Sequence, residues 1–405
     1  MQHVRRLFGF ALLPALSILA SLVLLPIIAS RFGSGGWVAL SIGQSVGALL
    51  SVAIGMAWPV FGGNAVAQAS SLDAQRELFR NSLYARLLVL IALCAGSTPL
   101  TYLLADDYPW STILFMLATS ANGLTAAWYF AGTGEPRHLV INEGLVRFGS
   151  YVVALVGFVA GAPLIWYAGA TAAAAATSVL LNWRTVMGPG RFWMAGAHRV
   201  AWRVIREQLG GTFSRVLLAG YAFGGPVIFA LLAPAQLPLF SAADQIQRMG
   251  TNALTFLPRT FVHWVGSSEP SQRRRRILHS MFFLGGVSLA TVPVWLFMGP
   301  LIVETLYADK VQLSRTMDML LILTIAGVLL TSSVEVVLLV PLGQVRTVYR
   351  AHSVLSVLGL LLVAGGAVKF GTIGALAAWV VVQAILFGCY VVALLRRSRA
   401  QRSGA

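Results

Sequence analysis

The chain alternates long apolar runs with short polar or glycine-rich breaks. Runs of roughly twenty apolar residues, enough to carry a helix across a bilayer, recur along its whole length. They predict twelve helices, near 7–30, 37–58, 83–104, 111–131, 145–161, 164–182, 209–232, 238–265, 278–303, 317–341, 353–368 and 373–395. Gly33-Ser34-Gly35-Gly36 turns the chain after the first run, Asp106-Asp107-Tyr108-Pro109 after the third and Gly161-Ala162-Pro163 after the fifth. The first run extends from Leu7 to about Ser30 without a small-residue cleavage site. That is too long for the apolar core of a signal peptide, so it reads as a first transmembrane helix. The eighth run is different, because polar residues interrupt it at regular intervals.

Composition excludes the soluble alternatives. Of 405 residues, 58% are apolar and 10% charged, and the mean hydropathy is +0.79; a soluble domain carries about 25% charged residues. A net charge of +16 on a soluble chain would suggest nucleic acid. Here the arginines lie between apolar spans, where they set topology, and no nucleic-acid partner is expected. With the amino terminus inside, 24 of the 29 Lys and Arg fall in inside segments, as the positive-inside rule requires. Only Arg31, Lys310, Arg315 and Lys369 fall outside, and Arg248 lies within a span. The expectation is a multi-pass protein of the bacterial cytoplasmic membrane with both termini cytoplasmic.

The two halves resemble each other. Displaced by 200 residues, Pro26 falls on Pro226, Ser41 on Ser241 and Gln44 on Asp244. Each half holds an even number of spans and keeps its orientation, so the repeat is expected to be parallel, about an axis along the membrane normal. This predicts an amino-terminal lobe over 1–182, a basic cytoplasmic linker over 183–208 and a carboxy-terminal lobe over 209–405.

Enzyme chemistry finds no foothold. Cys94 and Cys389 sit inside apolar runs, and the six histidines, at or near inside loops, are separated from one another and from the cysteines. No metal ligand set, cofactor motif or hydrolase motif is present, so neither a metal nor a cofactor is expected.

Ionisable side chains within spans are costly and therefore candidate functional groups. Ser241, Asp244, Arg248, Asn252, Thr255 and Arg259 recur at spacings of three and four in the eighth span, which gathers them on one helical face. At 1.5 Å per residue from Pro238, Arg248 lies roughly 15 Å deep. A guanidinium can grip phosphate oxygens with two parallel hydrogen bonds, so Arg248 suits an anionic headgroup, with Asp244 modulating its charge. The same spacing also permits a purely structural ion pair. Arg215 in the seventh span could meet a headgroup arriving from the cytoplasm or snorkel to the inner interface. Arg31 ends the first span, as an anchor or a cavity group, and Gln44 is the repeat partner of Asp244. Glu335 in the tenth span is a candidate proton or sodium site, or else a partner of Arg346 or Arg350. Arg273 to Arg276 suit anionic lipid headgroups.

The segment Trp128-Tyr129-Phe130-Ala131-Gly132-Thr133-Gly134-Glu135 resembles the tryptophan-tyrosine-phenylalanine-x-glycine-x-glutamate signature after the fourth span of lipid-linked oligosaccharide flippases, its glutamate one position later than usual. Pro26 through Arg31-Phe32-Gly33 is similar to that family's first-span ending, and Phe240 to Arg248 followed by Pro258 resembles its eighth span. The resemblance is to O-antigen type polysaccharide flippases of the multidrug/oligosaccharidyl-lipid/polysaccharide exporter superfamily. It implies an all-α protein of twelve transmembrane helices in two pseudo-symmetric six-helix lobes around a central cavity. It also implies alternating access, a polyprenyl-pyrophosphate-linked glycan as cargo, and membrane lipids and polysaccharide assembly proteins as partners. A cation-coupled drug antiporter of the same superfamily is the first alternative; such antiporters place a carboxylate in the first or seventh span, and here both lack one. A membrane glycosyltransferase or polymerase is the second, and the short external connections weigh against it.

Overall fold

A computed structural model describes residues 2–188, 197–266 and 270–403. Every regular element among them is a helix. Eight helices are long and apolar enough to cross a membrane, and a ninth is formed by a bent pair, Arg215–Phe223 and Gly225–Leu232, meeting at 62°. Two of these helices are double. Gln2–Gly55 runs through Gly33, and Val345–Ser403 runs through Gly371. Their φ values of 63° and 60° lie where only glycine is comfortable. Divided there, they supply spans 1, 2, 11 and 12. The polar pair Leu237–Leu254 and Phe256–Gly266 fills the eighth position, which completes the expected twelve passes.

The helices outrun their apolar stretches. The third starts at Leu72 rather than 83, because Ser71 caps it by accepting from the Ala74 N–H at 3.2 Å. Pro109 and Pro136 open the fourth and fifth, Pro109–Ser120 and the short helix from Pro136 onward, at first-turn positions where the missing N–H costs nothing. The second span breaks at Met56, whose φ is 51°, and resumes as Trp58–Ala67.

The chain forms two compact units, Met1–Val227 and Ile228–Ala405. Residues 197–208 of the expected linker are helical, at the start of Ala197–Phe223, which packs against the first and third helices of the first unit; the boundary falls at the bend in the seventh span. Residues 189–196 of that linker lie outside the described residues.

In the first unit the second and fourth spans come together on small residues. A Cβ at Gly43 would stand 2.6 Å from the Thr112 carbonyl oxygen, and one at Gly47 would stand 2.6 Å from that of Met116. Small residues four apart admit such backbone approach within a membrane. Trp58 and Trp128 pair at 4.8 Å between ring centroids, beside a cavity of about 340 Å³ lined by Phe61, Leu78, Glu207 and Gln208. In the second unit, Phe229 and Phe240 stack at 3.9 Å, and Val265, Ile277, Leu284 and Val337 form a buried cluster.

The fourth and tenth spans end in the same local backbone structure. The fourth span ends at Gly134 (φ 74°), where the Glu135 N–H bonds the Phe130 carbonyl at 2.9 Å. The tenth ends at Gly343 (φ 77°), where the Gln344 N–H bonds the Leu339 carbonyl at 3.0 Å. The two turns share one left-handed glycine cap and lie 209 residues apart.

Candidate functional site

The polar face of the eighth span carries a buried ion pair. Arg248 Nη2 lies 2.7 Å from Asp244 Oδ2, with the Asp244 side chain 3% exposed and that of Arg248 17% exposed. Ser241, a turn earlier, is buried, and its hydroxyl has no hydrogen-bond partner; its repeat counterpart Ser41 is the same. Tyr307 donates to the Ala242 carbonyl at 3.3 Å, which backs this turn from the ninth span. Further along, Asn252 and Arg259 are exposed. The face is therefore graded, from a buried pair near its start to open polar groups near its end. Coulomb attraction at such a distance in a low-dielectric setting fixes the two side chains together, so any anion would meet an Arg248 already held by a carboxylate.

The other candidates lie apart. Arg215 donates to the Met56 carbonyl, and Gln208 accepts from the Ala57 N–H at 3.1 Å. Two side chains of the seventh span thus hold the break in the second. Arg31 donates to the carbonyls of Phe158, at 2.6 Å, and Gly161. It closes the carboxy-terminal end of the fifth span, whose last carbonyls would otherwise lack donors. Gln44 is half-buried in the second span.

Glu335 is paired with neither Arg346 nor Arg350. Its Oε2 lies 3.0 Å from His352 Nε2 and accepts from the Tyr390 hydroxyl at 3.3 Å. Arg346 and Arg350 precede His352 by six and two residues on the eleventh span, and the side chain that meets the carboxylate is that of His352. His352, placed by its sequence beside a loop, is a helix residue in contact with a carboxylate.

A second polar node, absent from the sequence reading, occupies the first unit. Glu143 Oε1 accepts from Thr125 Oγ1 at 2.9 Å, the Ala126 N–H at 3.0 Å and Asn182 Nδ2 at 2.9 Å. Asn142 adds bonds to Asn182 at 3.1 Å and Thr185 at 2.9 Å. Arg86, fully buried, donates to the carbonyls of Gly123 at 3.1 Å and Thr125 at 2.9 Å and is a coulombic partner of Glu143. Its guanidinium lies 5.6 Å from the Trp128 ring centroid, so the aromatic signature forms one wall of this node. The charge count places Arg86 in an inside segment, although the third apolar run begins at 83. The signal against that was local, since Leu87-Leu88-Val89-Leu90 follow it directly. Glu143 sits in the gap between two apolar runs and carries no sequence signal of its own. Among the described residues, no group of His, Cys, Asp and Glu could hold a metal ion.

No protein-family model and no curated protein sequence matches the chain. Among solved structures, the lipid II flippase MurJ in an inward closed conformation is similar, with a TM-score of 0.66 and 12% identity over 97% of this chain and 87% of that one. A variant of the Vibrio cholerae MATE transporter VcmN is similar, with a TM-score of 0.50 and 17% identity over 96% of this chain and 94% of that one. An outward-facing multidrug resistance MATE family transporter of the MOP superfamily aligns over 98% of this chain and 94% of its own length, at 14% identity and a TM-score of 0.47. At these identities the likeness is one of fold. The chain is an all-α, multi-pass membrane protein whose fold is shared with a lipid II flippase and a MATE transporter.

Proposed function

We propose that this protein is a flippase. It moves a polyprenyl-pyrophosphate-linked oligosaccharide from the inner to the outer leaflet of the bacterial cytoplasmic membrane, by alternating access, for cell-surface polysaccharide assembly, with both termini cytoplasmic. The observation that carries the reading is the charge balance of spans 1, 2, 7 and 8. They hold Arg31, Arg215, Arg248 and Arg259 against the single carboxylate Asp244, and that carboxylate is already held by Arg248. A lipophilic cation would find no uncommitted carboxylate in these spans, whereas a diphosphate would find on the eighth span the partly exposed Arg248 and the exposed Arg259, whose guanidinium groups match its oxygens two at a time. The fold supports the reading to the extent that the same framework serves a lipid II flippase.

The second reading, cation-coupled drug antiport, draws on the acidic node at Glu335, which lies outside those four spans. Surface glycan in a host lacking its own flippase separates the two readings. Arg248→Ala should abolish export while leaving folded protein in the membrane, and Arg248→Lys should lose most of it, because a point charge cannot reproduce the guanidinium fork. Full export by the double variant Asp244→Asn, Arg248→Gln would remove Arg248 from the mechanism and leave the pair as structure only.

A further inference from the structure

The two polar nodes occupy equivalent places in the repeat. The glycine caps of the fourth and tenth spans set the register at 209 residues. At that spacing Glu143 of the fifth span falls on His352 of the eleventh, and within one residue Asn182 falls on Tyr390 and Thr125 on Glu335. Each node therefore joins three consecutive spans at the same level. Each carboxylate also lies on a π-helical turn, Val140–Leu145 for Glu143 and Val334–Leu339 for Glu335, a distortion that recurs at functional sites.

Their chemistry differs. The Glu143 carboxylate is held by a hydroxyl, a backbone N–H and an amide, with the Arg86 guanidinium as counter-charge. None of these partners exchanges a proton in the physiological range. The second node sets against its carboxylate an imidazole, the side chain whose ordinary proton exchange lies nearest neutral pH. Glu335 meets an imidazole at 3.0 Å and a phenol at 3.3 Å, and the phenol and imidazole lie 3.1 Å apart. The ninth span, counterpart of the one that supplies Arg86, has no Lys or Arg between Arg276 and Glu304. Glu335 and His352 keep 28% and 27% of their side chains exposed, while Tyr390 is fully buried behind them.

We propose that Glu335, His352 and Tyr390 form a proton-binding site through which this transporter is coupled to a proton gradient, with the Glu143 node as its structural counterpart. Binding adds one proton between carboxylate and imidazole and takes the node from a charge of minus one to zero, with no other bond changed. An alkali cation would need a shell of oxygens, and the node offers a carboxylate and one phenol oxygen beside an imidazole nitrogen. Around the turn, the final helix contributes His352 and Tyr390, with Cys389 adjacent. The ninth span contributes Arg273, whose guanidinium reaches the Pro341 carbonyl at 3.4 Å. Val265, Ile277 and Leu284 pack against Val337 of this turn. Asp318 lies at the far end of the same span, about 25 Å away along the helix. The proposal rests on the transporter reading and not on the identity of the cargo.

Infrared pH titration of the purified full-length protein, without cargo, tests it. A carboxylic-acid carbonyl band should titrate in wild type, vanish in Glu335→Gln, and move its midpoint by about one pH unit or more in His352→Gln and Tyr390→Phe, as expected for groups within hydrogen-bond reach. Glu143→Gln should leave that band in place. A band unchanged in Glu335→Gln, unmoved in both His352→Gln and Tyr390→Phe, or suppressed by sodium ions would overturn the assignment. Failure of glycan export in a variant whose band is intact would count against the cargo reading alone.

Discussion

Replacing Arg86 by alanine should unfold the first unit more readily than any other single truncation there. The guanidinium is fully buried, donates to the carbonyls of Gly123 and Thr125, and balances Glu143. Removing it leaves the Gly123 and Thr125 carbonyls without their donor, which costs about 1–3 kcal/mol for each buried group left unsatisfied. Arg86→Lys keeps the charge but loses the fork that reaches two carbonyls, which should cost about 1.5–3 kcal/mol, the value of a hydrogen bond to a charged group. Combining Arg86→Ala with Glu143→Gln removes both charges, and a coupling of about 0.5–3 kcal/mol should then bring the double variant above the sum of its parts. Heating the detergent-purified variants and measuring the folded fraction by gel filtration gives the order. Arg86→Ala melting with wild type, or strictly additive single variants, would refute the pairing.

Three further outcomes follow from the same structure. In a chain lacking Cys94 and Cys389, single cysteines at Ser34, Asp107 and Lys310 should label from outside, and those at Gly190 and Gln272 should not; the reverse pattern would refute the topology. Gly47→Leu should force the second and fourth spans apart, because a Cβ there stands 2.6 Å from the Met116 carbonyl oxygen, at a cost of about 1–3 kcal/mol or more, whereas Gly96→Leu, with nothing within 4 Å, should leave the yield of folded protein unchanged. Arg31→Gln should lower the melting temperature by removing the donors to Phe158 and Gly161, with export per folded molecule unaltered; a specific loss of export would return Arg31 to the transport path.

The apolar runs made the spans legible because a helix in lipid must be both long and apolar, and length and hydropathy are properties of the sequence itself. Helix ends were less legible. Leu72-Asp73-Ala74-Gln75-Arg76-Glu77 continues the third helix beyond the apolar run on the strength of the Ser71 cap, which hydropathy does not register. The polar face of the eighth span was readable from spacing alone, and so was the register that pairs Asp244 with Arg248. The partners of Glu335 and Arg86 were not. Both form their contacts across helices, between residues 17 to 57 positions apart for His352, Tyr390, Gly123, Thr125 and Glu143, and no local pattern encodes such distances. Positive charge near a span end also carries two meanings. It satisfied the topology rule for Arg86 and Arg215 alike, while burial gave Arg86 a structural role that the rule cannot distinguish.

The central claim is that the cargo is an anionic lipid-linked glycan. Its most direct test is leaflet exchange of a fluorescent polyprenyl-pyrophosphate oligosaccharide in liposomes containing the purified protein, with lipophilic cations such as ethidium measured in parallel. The account predicts protein-dependent exchange of the glycolipid, lost in Arg248→Ala, and no transport of the cation. Transport of ethidium with no acceleration of glycolipid exchange would contradict it.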